Sequence, residues 1–159
     1  MERADMQKKK QPDIDKIEKE VSPAQYREML KHLELRDVYL KEVNSILYSK
    51  EIEKSAKLNF KESFHIIQLN KEDALLQADY EINAKSGKRN IFKIRAKYDI
   101  FFEMTESLPE EFFLLYSRHS MPLQTYPYFR ELVNSIISRM GLPPLVLGLR
   151  KFLVGQPEN

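Results

Sequence analysis

A strict alternation of apolar and polar residues between positions 74 and 102 constrains the fold more than any other feature. Polar residues fill most of one parity, from Gln77 to Lys85 and from Lys93 to Asp99. The other parity is apolar and carries Ala74, Leu76, Ala78, Tyr80, Ile82, Ala84, Phe92, Ile94, Ala96, Tyr98, Ile100 and Phe102. A period of two predicts strands with one face on a core and the other in water. Ser86-Gly87-Lys88 joins them and predicts a hairpin turn with Gly87 at positive φ.

Two further strands are predicted upstream. The first candidate, residues 36–47, alternates poorly, because its apolar residues fall on both parities. In the second candidate, one parity carries Ala56, Leu58, Phe60, Phe64 and Ile66 and is interrupted only by Glu62. The pattern therefore predicts four antiparallel strands in one sheet.

Helical periodicity flanks the strands. Ser22 can cap a short N-terminal helix that has Pro23 at its first position. Residues 107–110 resemble a capping box and predict a second helix that ends at about residue 118. The last helix shows an apolar stripe at helical spacing, formed by Phe129, Leu132, Val133, Ile136, Ile137 and Met140. We expect Tyr126 at the entrance of this helix, and Gly141 can end it. The order predicts an α+β fold: a four-stranded antiparallel sheet with helices on one side and a short extra N-terminal helix.

The chain of 159 residues is expected to form one domain. Residues 1–12 are polar, contain three consecutive lysines and end at Pro12, so we expect a disordered arm there. Residues 13–159 are then a single domain.

Composition excludes several classes of function. Lys+Arg 26 against Asp+Glu 24 leaves a net charge of +2, too balanced to indicate nucleic acid as a partner. Cysteine is absent, the four glycines are too scattered for a phosphate-binding loop, and the three histidines stand alone. We therefore expect no enzyme activity, no cofactor, and no metal site. One nucleic-acid alternative stays open, through Lys57, Lys61, Lys93, Arg95 and Lys97 on the wet face of the sheet.

The segment from Phe112 to Tyr116 is the longest apolar run, far short of a membrane span. The first 20 residues are dense in charge and contain no apolar core of a signal peptide. A cytoplasmic protein without membrane insertion is expected.

Three segments near the C-terminus resemble the SecB family of protein-export chaperones. They are Tyr126-Pro127-Tyr128-Phe129-Arg130-Glu131-Leu132-Val133, then Ser138-Arg139, then Leu142-Pro143-Pro144-Leu145-Val146-Leu147. Upstream, residues 38–42 and 57–60 are similar to the family's first two strands, and the resemblance covers about residues 33–150.

The resemblance implies an ATP-independent holdase that binds unfolded polypeptides in long apolar grooves, with a possible role in protein export. It implies client-binding residues Leu58, Phe60, Phe101, Phe102, Tyr126, Phe129, Leu132, Ile136, Leu145 and Leu147. Core packing is the competing interpretation for most of them, because any core-facing helix shows such a stripe. A ligand-binding protein of another class on the same scaffold is a further alternative.

The resemblance also implies assembly as a dimer or a homotetramer. Residues 112–116 form a helix that is apolar nearly all round, more than one sheet needs to bury. Such an excess favours an oligomer interface. The residues assigned to it are Phe112, Phe113, Leu115 and Tyr116.

Family members dock the translocase ATPase SecA through an acidic patch on the sheet. Its positions fall here on Glu42, Ile46, Lys93 and Arg95, and the two cations make SecA binding doubtful. The extra helix around residues 22–31 is instead similar to SecB-like chaperones that serve toxin–antitoxin pairs. A dedicated chaperone of one antitoxin is therefore the alternative to a general holdase.

Overall fold

The computed structural model describes residues 12–52, 56–145 and 147–148. Except for Pro12, the arm predicted over residues 1–12 lies outside the described residues. The elements are α1 (Ile14–Glu20), α2 (Pro23–Leu30), β1 (Leu33–Leu47), β2 (Ala56–Leu69), β3 (Asp73–Ser86), β4 (Arg89–Met104), α3 (Glu110–His119) and α4 (Met121–Arg139).

The four strands form one antiparallel sheet in the order β1-β4-β3-β2. The two strands with clean alternation, β3 and β4, are the central pair, and β1 and β2 are the edges. A two-residue turn joins β3 to β4, with Gly87 at φ 60°. The predicted α+β class and the predicted hairpin are confirmed.

Two bulges explain why β1 alternates poorly in sequence. Its register against β4 shifts between Leu35 and Asp37 and again between Leu40 and Glu42. Each extra residue reverses the parity of the strand that follows. As a result Leu35, Leu40 and Val43 all lie opposite residues on the helix-covered side of β4.

The helix boundaries confirm one predicted cap and correct two other predictions. Ser22 Oγ accepts from the Gln25 backbone N–H (3.2 Å), and Gln25 Oε1 accepts from the Ser22 N–H (2.8 Å), which is the capping box of α2. The capping box predicted for α3 is wrong, since Pro109 is the N-cap residue and makes no side-chain cap. Helix α4 begins at Met121, so Tyr126 does not lie at a helix entrance. Gly141, at φ 69°, ends α4 as predicted.

The core lies between the sheet and the helices. Helix α4 buries Phe129, Val133 and Ile137 against the apolar parity of β3 and β4. Helix α3 is enclosed between the sheet and α2, with ring centroids 5.3 Å apart for Phe102–Tyr116 and 5.4 Å for Tyr26–Phe112. We call the covered side of the sheet the helix face and the other side the open face. No helix in the described ranges is long and apolar enough to cross a membrane.

Candidate functional site: exposed apolar surfaces beside α4

Apolar side chains stay exposed on the helix face where β2 passes α4. Leu58 is 46% exposed and Phe60 is 36% exposed. The ring of Phe60 lies 5.8 Å from that of Tyr126 and 6.1 Å from that of Phe129. We call Leu58 and Phe60, together with the nearly buried Tyr126 beside them, the β2 apolar surface.

A buried aromatic layer fixes this surface from beneath. Phe129 stacks on Tyr80 with ring centroids 4.9 Å apart, and the Tyr80 hydroxyl lies 2.6 Å from the Thr125 hydroxyl. Phe60 also contacts Tyr80, at 5.9 Å between centroids. Aromatic pairs at these distances add to the stability of simple apolar burial. The surface therefore rests on a rigid base.

A second apolar area lies on the other side of α4, towards β1. Leu40 and Val43 are more than two-fifths exposed, and they lie opposite Tyr98 and Ala96 in register. Tyr128 is half-exposed, and its ring lies 6.3 Å from that of Tyr98. Leu132 lies one helical turn after Tyr128. We call Leu35, Leu40, Val43, Tyr128 and Leu132 the β1 apolar surface.

Nine of the ten residues assigned to client binding separate into three groups. Leu58, Phe60 and Tyr126 lie together at the β2 apolar surface, and Phe129 supports them from the core. Phe102 has no exposed area and packs on Tyr116. The half-buried members packed against the core are Leu132, Ile136, Leu145 and Leu147.

Phe101 is the one candidate on the other side of the sheet. It is paired in register with Asp37 and Leu75 on the open face, and it lines a small cleft with Glu72 and Thr105. The structure therefore does not bring Phe101 together with Phe60. A client contact by Phe101 stays a separate prediction.

The four residues assigned to an oligomer interface are buried within the single chain. Phe112 and Phe113 have no exposed area, and Leu115 and Tyr116 are almost fully covered. The apolar excess of α3 is explained by its position between the sheet and the N-terminal helices, where α1 contributes the buried Ile17. A second copy cannot reach these side chains while α1 and α2 are docked.

Ser63, His65 and Asp79 lie together on the side of the sheet opposite these apolar surfaces. On the open face Ser63 Oγ and Asp79 Oδ2 both lie 3.2 Å from the same nitrogen of His65, Nε2. A nucleophile–base–acid relay needs the two ring nitrogens to face different partners. Within the described ranges, no three His, Asp or Glu side chains form a group that could hold a metal ion.

Burial raises the pKa of Tyr98, and the charge of Glu131 raises it further.

Apart from Leu132, no member of the β1 apolar surface is predicted from the sequence to belong to a site. Its signal was the excess of apolar residues on both parities of residues 36–47. The two bulges turn that irregular pattern into one exposed apolar row, and a plain period-two analysis does not detect such a row.

Comparison with known proteins identifies the family. Residues 22–153 match the family model described as preprotein translocase subunit SecB. The chain belongs to the SecB family. A comparison with curated protein sequences finds no match.

A solved structure of a SecB-like chaperone shows the same fold. One is the Mycobacterium tuberculosis Rv1957 SecB-like chaperone in complex with a ChAD peptide from the Rv1956 HigA1 antitoxin. It is similar to this chain with a TM-score of 0.70 at 13% identity, over 87% of this chain and 98% of that one. A protein of unknown function from Streptococcus agalactiae has a TM-score of 0.48 at 12% identity, over 74% of this chain and 97% of that one.

Proposed function

We propose that this SecB-family protein is an ATP-independent holdase, which binds apolar segments of unfolded polypeptides on the β2 apolar surface beside α4. Membership of a chaperone family supports this role, and the observation that carries it is the β2 apolar surface. Leu58 and Phe60 leave a large share of their apolar area in water although they adjoin a complete core. Contiguous exposed apolar area of this kind is typical of interaction sites.

The chemistry of the surface suits many client sequences. Apolar contact is non-directional, and the attraction scales with buried area, so no fixed motif is needed in the client. Phe60 presents a ring already held by Tyr126 and Phe129, so little side-chain entropy is lost when a client segment binds. No bond is made or broken in this function, and it requires neither a cofactor nor ATP.

Light scattering tests the proposal directly. An unrelated denatured protein is diluted into buffer with near-stoichiometric amounts of this chain and without ATP, and aggregation is followed. We expect suppression by the native sequence and a marked loss of suppression with Leu58→Asp. Leu58 is the more exposed of the two β2 residues, so this substitution disturbs the core least.

Gln68→Asp is the matched control. It adds the same charge further along β2, but Gln68 is exposed on the open face, opposite Leu75. Both variants are checked by circular dichroism for an unchanged fold. Equal loss in the two variants, or no suppression by the native sequence, would contradict a general holdase. Phe101→Asp is measured alongside them and shows whether the open face also contacts clients.

The second candidate function is a dedicated chaperone of one antitoxin. Its support is that Rv1957, which shares this fold over nearly its whole length, was solved with an antitoxin peptide. A dedicated chaperone would leave the unrelated substrate to aggregate and would bind a polypeptide encoded next to it. Peptide arrays that cover the neighbouring gene products distinguish the two functions. Binding of the native protein to one of these peptides, lost with Leu58→Asp, would favour the dedicated chaperone.

We also propose that the chain acts in the cytoplasm as a homo-oligomer, a dimer or a tetramer. The β1 edge supports such assembly better than α3, since β1 is a 15-residue edge strand with exposed apolar residues on both faces. Tyr39 and Ile46 lie on its open face, whereas Leu40 and Val43 lie on its helix face. Edge strands of this length are ready templates for pairing with another chain.

A role in export through SecA is not part of the proposal. Glu42, Ile46, Lys93 and Arg95 do lie together on the open face, as the resemblance implied. Two of the four are cations, and Glu81 lies 3.5 Å from Lys93 and 3.2 Å from Arg95. We expect no measurable SecA binding at this patch.

A further inference from the structure

A polar cleft of about 610 Å³ opens on the open face of the sheet, at the end where β3 turns into β4. Four lysines from three strands line it, together with three asparagines and the half-exposed ring of Tyr48. The lysines are Lys57, Lys61, Lys85 and Lys93. Glu81 is the acidic side chain among its lining residues.

The positive charge of the cleft is incompletely neutralised. Glu81 pairs with Lys93, and also with Arg95 further along β4. Lys57, Lys61 and Lys85 form no ion pair with any residue that the structure describes. The cleft therefore carries an excess of positive charge although the whole chain is close to neutral.

Strand register shows that this excess is local. Lys57 and Lys85 are directly opposite each other in the β2–β3 pair. Like charges in that position repel and destabilise a sheet. Other cross-strand neighbours on the same face are complementary, as in Asp79↔Lys97 and Glu81↔Arg95. At the far end of the face Glu103 lies opposite Glu34 and Asp73, and Arg36 pairs with both Glu103 and Glu34. Among the residues that the structure describes, no ion pair of this kind bridges Lys57 and Lys85.

We propose that this lysine cleft binds an acidic segment of a partner polypeptide. The site goes beyond the proposed holdase function, because it lies on the opposite face of the sheet from the β2 apolar surface. Carboxylates of the segment would pair with Lys57, Lys61 and Lys85 by charge complementarity. The amides of Asn59 and Asn83, which offer both donors and acceptors, suit the segment's backbone.

The charge distribution favours a short peptide over nucleic acid. From Lys61 onward the face becomes mixed, with Glu81 opposite Lys61 and Asp79 further along β3. These carboxylates would repel a continuing phosphate backbone. A single-stranded nucleic acid is normally held by a continuous basic track and several stacking rings. Here Tyr48 is the exposed ring at the cleft. From Lys57 to Lys61 the strand spans about 13 Å, which matches four or five extended residues.

Fluorescence anisotropy tests the site on the full chain. The probe is a labelled peptide of about eight residues that alternates glutamate with serine, long enough to cross the cleft. A peptide in which glutamine replaces glutamate is the neutral comparison. The double variant Lys57→Gln/Lys85→Gln removes the opposed pair, and Lys19→Gln/Lys71→Gln removes the same charge from exposed positions elsewhere.

We expect the acidic peptide to bind and the neutral one not to bind. Affinity is expected to fall about tenfold in the cleft variant, to stay within about twofold in the control variant, and to weaken with added salt. Equal loss in both variants, or no binding of the acidic peptide, would overturn the proposal. Tighter binding of a labelled single-stranded oligonucleotide, lost in the cleft variant, would overturn it in favour of nucleic acid.

Discussion

Phe129 and Tyr128 are neighbours in α4 that occupy opposite environments. Phe129 has no exposed area and stacks on Tyr80, whereas Tyr128 is half-exposed above Tyr98. We predict that Phe129→Ala lowers the free energy of unfolding by about 3–5 kcal/mol, because it leaves a cavity beneath the β2 apolar surface. Tyr128→Ala, the matched control, should cost less than about 1.5 kcal/mol. Urea unfolding measures both, and equal costs would show that Phe129 is not the base of the surface.

Tyr98 makes stability depend on alkaline pH. Burial, and then the charge of Glu131, raise its pKa above the ordinary value of 10.0. The folded state therefore holds this proton at a pH where the unfolded chain has lost it, so stability is complete below about pH 10 and falls as the pH rises further. Urea midpoints between about pH 9 and pH 11 should decline less steeply in Tyr98→Phe. A residual decline is expected from Tyr116, whose pKa burial also raises. Identical slopes in the two proteins would contradict the prediction.

At the scale of elements, the sequence predicts regular strands well and irregular ones poorly. The alternation of β3 and β4 correctly identifies the helix-face residues from Ala74 to Phe102, since both strands are central. In β1 the bulges at residues 36 and 41 reverse the parity twice, and only the register against β4 reveals them. Bulges depend on strand pairing, so local composition does not locate them.

Helix α4 shows a similar limit. Pro127 lies inside the helix, although proline ordinarily indicates the first helical turn. A helix entrance at Tyr126 would put Pro127 in the first turn, but α4 already begins at Met121. Buried contacts of Met121 and Thr125 stabilise those turns, so tertiary packing overrides the local signal of the proline.

Helix α1 is held to the domain by few contacts, so its docking should respond to acid. It has seven residues, buries Ile17 alone, and pairs Asp15 with Arg118 at 2.6 Å. The hydrogen bond and charge of Arg118 lower the pKa of Asp15 from its usual 3.8. The ion pair therefore stabilises docking of α1 at neutral pH, and this stabilisation is lost as the pH falls through the lowered pKa. Glu18 lies 2.8 Å from His119 at the same contact. The protection of the α1 amides, measured relative to the intrinsic exchange rate at each pH, should therefore fall below about pH 4.

Arg118→Gln should accelerate that exchange already at neutral pH, because it removes the partner of Asp15. Arg139→Gln, at the exposed end of α4, is the matched control and should leave α1 protected. Equal protection of α1 in both variants would mean that Ile17 and the Glu18–His119 contact hold the helix without Arg118.

For the whole molecule, the fold class and part of the proposed site could be predicted from the sequence. Leu58, Phe60 and Tyr126 could be assigned through the family resemblance, and the structure places them together. Burial of Phe112 could not be foreseen, because it depends on α2 packing its Tyr26 ring against α3. An apolar excess indicates that a surface is covered, but only tertiary packing shows whether the same chain or a second copy covers it.

Assembly through the β1 edge is the prediction that tests whether a second copy covers an apolar surface of this chain. Val43 is 45% exposed on the helix face of β1, so Val43→Glu places a charge on the edge while leaving the core intact. If two copies pair along β1 around a two-fold axis, each interface buries this position twice, and the charge should shift the assembly towards the monomer. Light scattering coupled to size-exclusion chromatography measures the mass. Leu58→Asp, on the other edge strand, should leave the oligomer unchanged. An unchanged mass with Val43→Glu would place the contact elsewhere, and a monomeric native protein at micromolar concentration would remove the need for any interface.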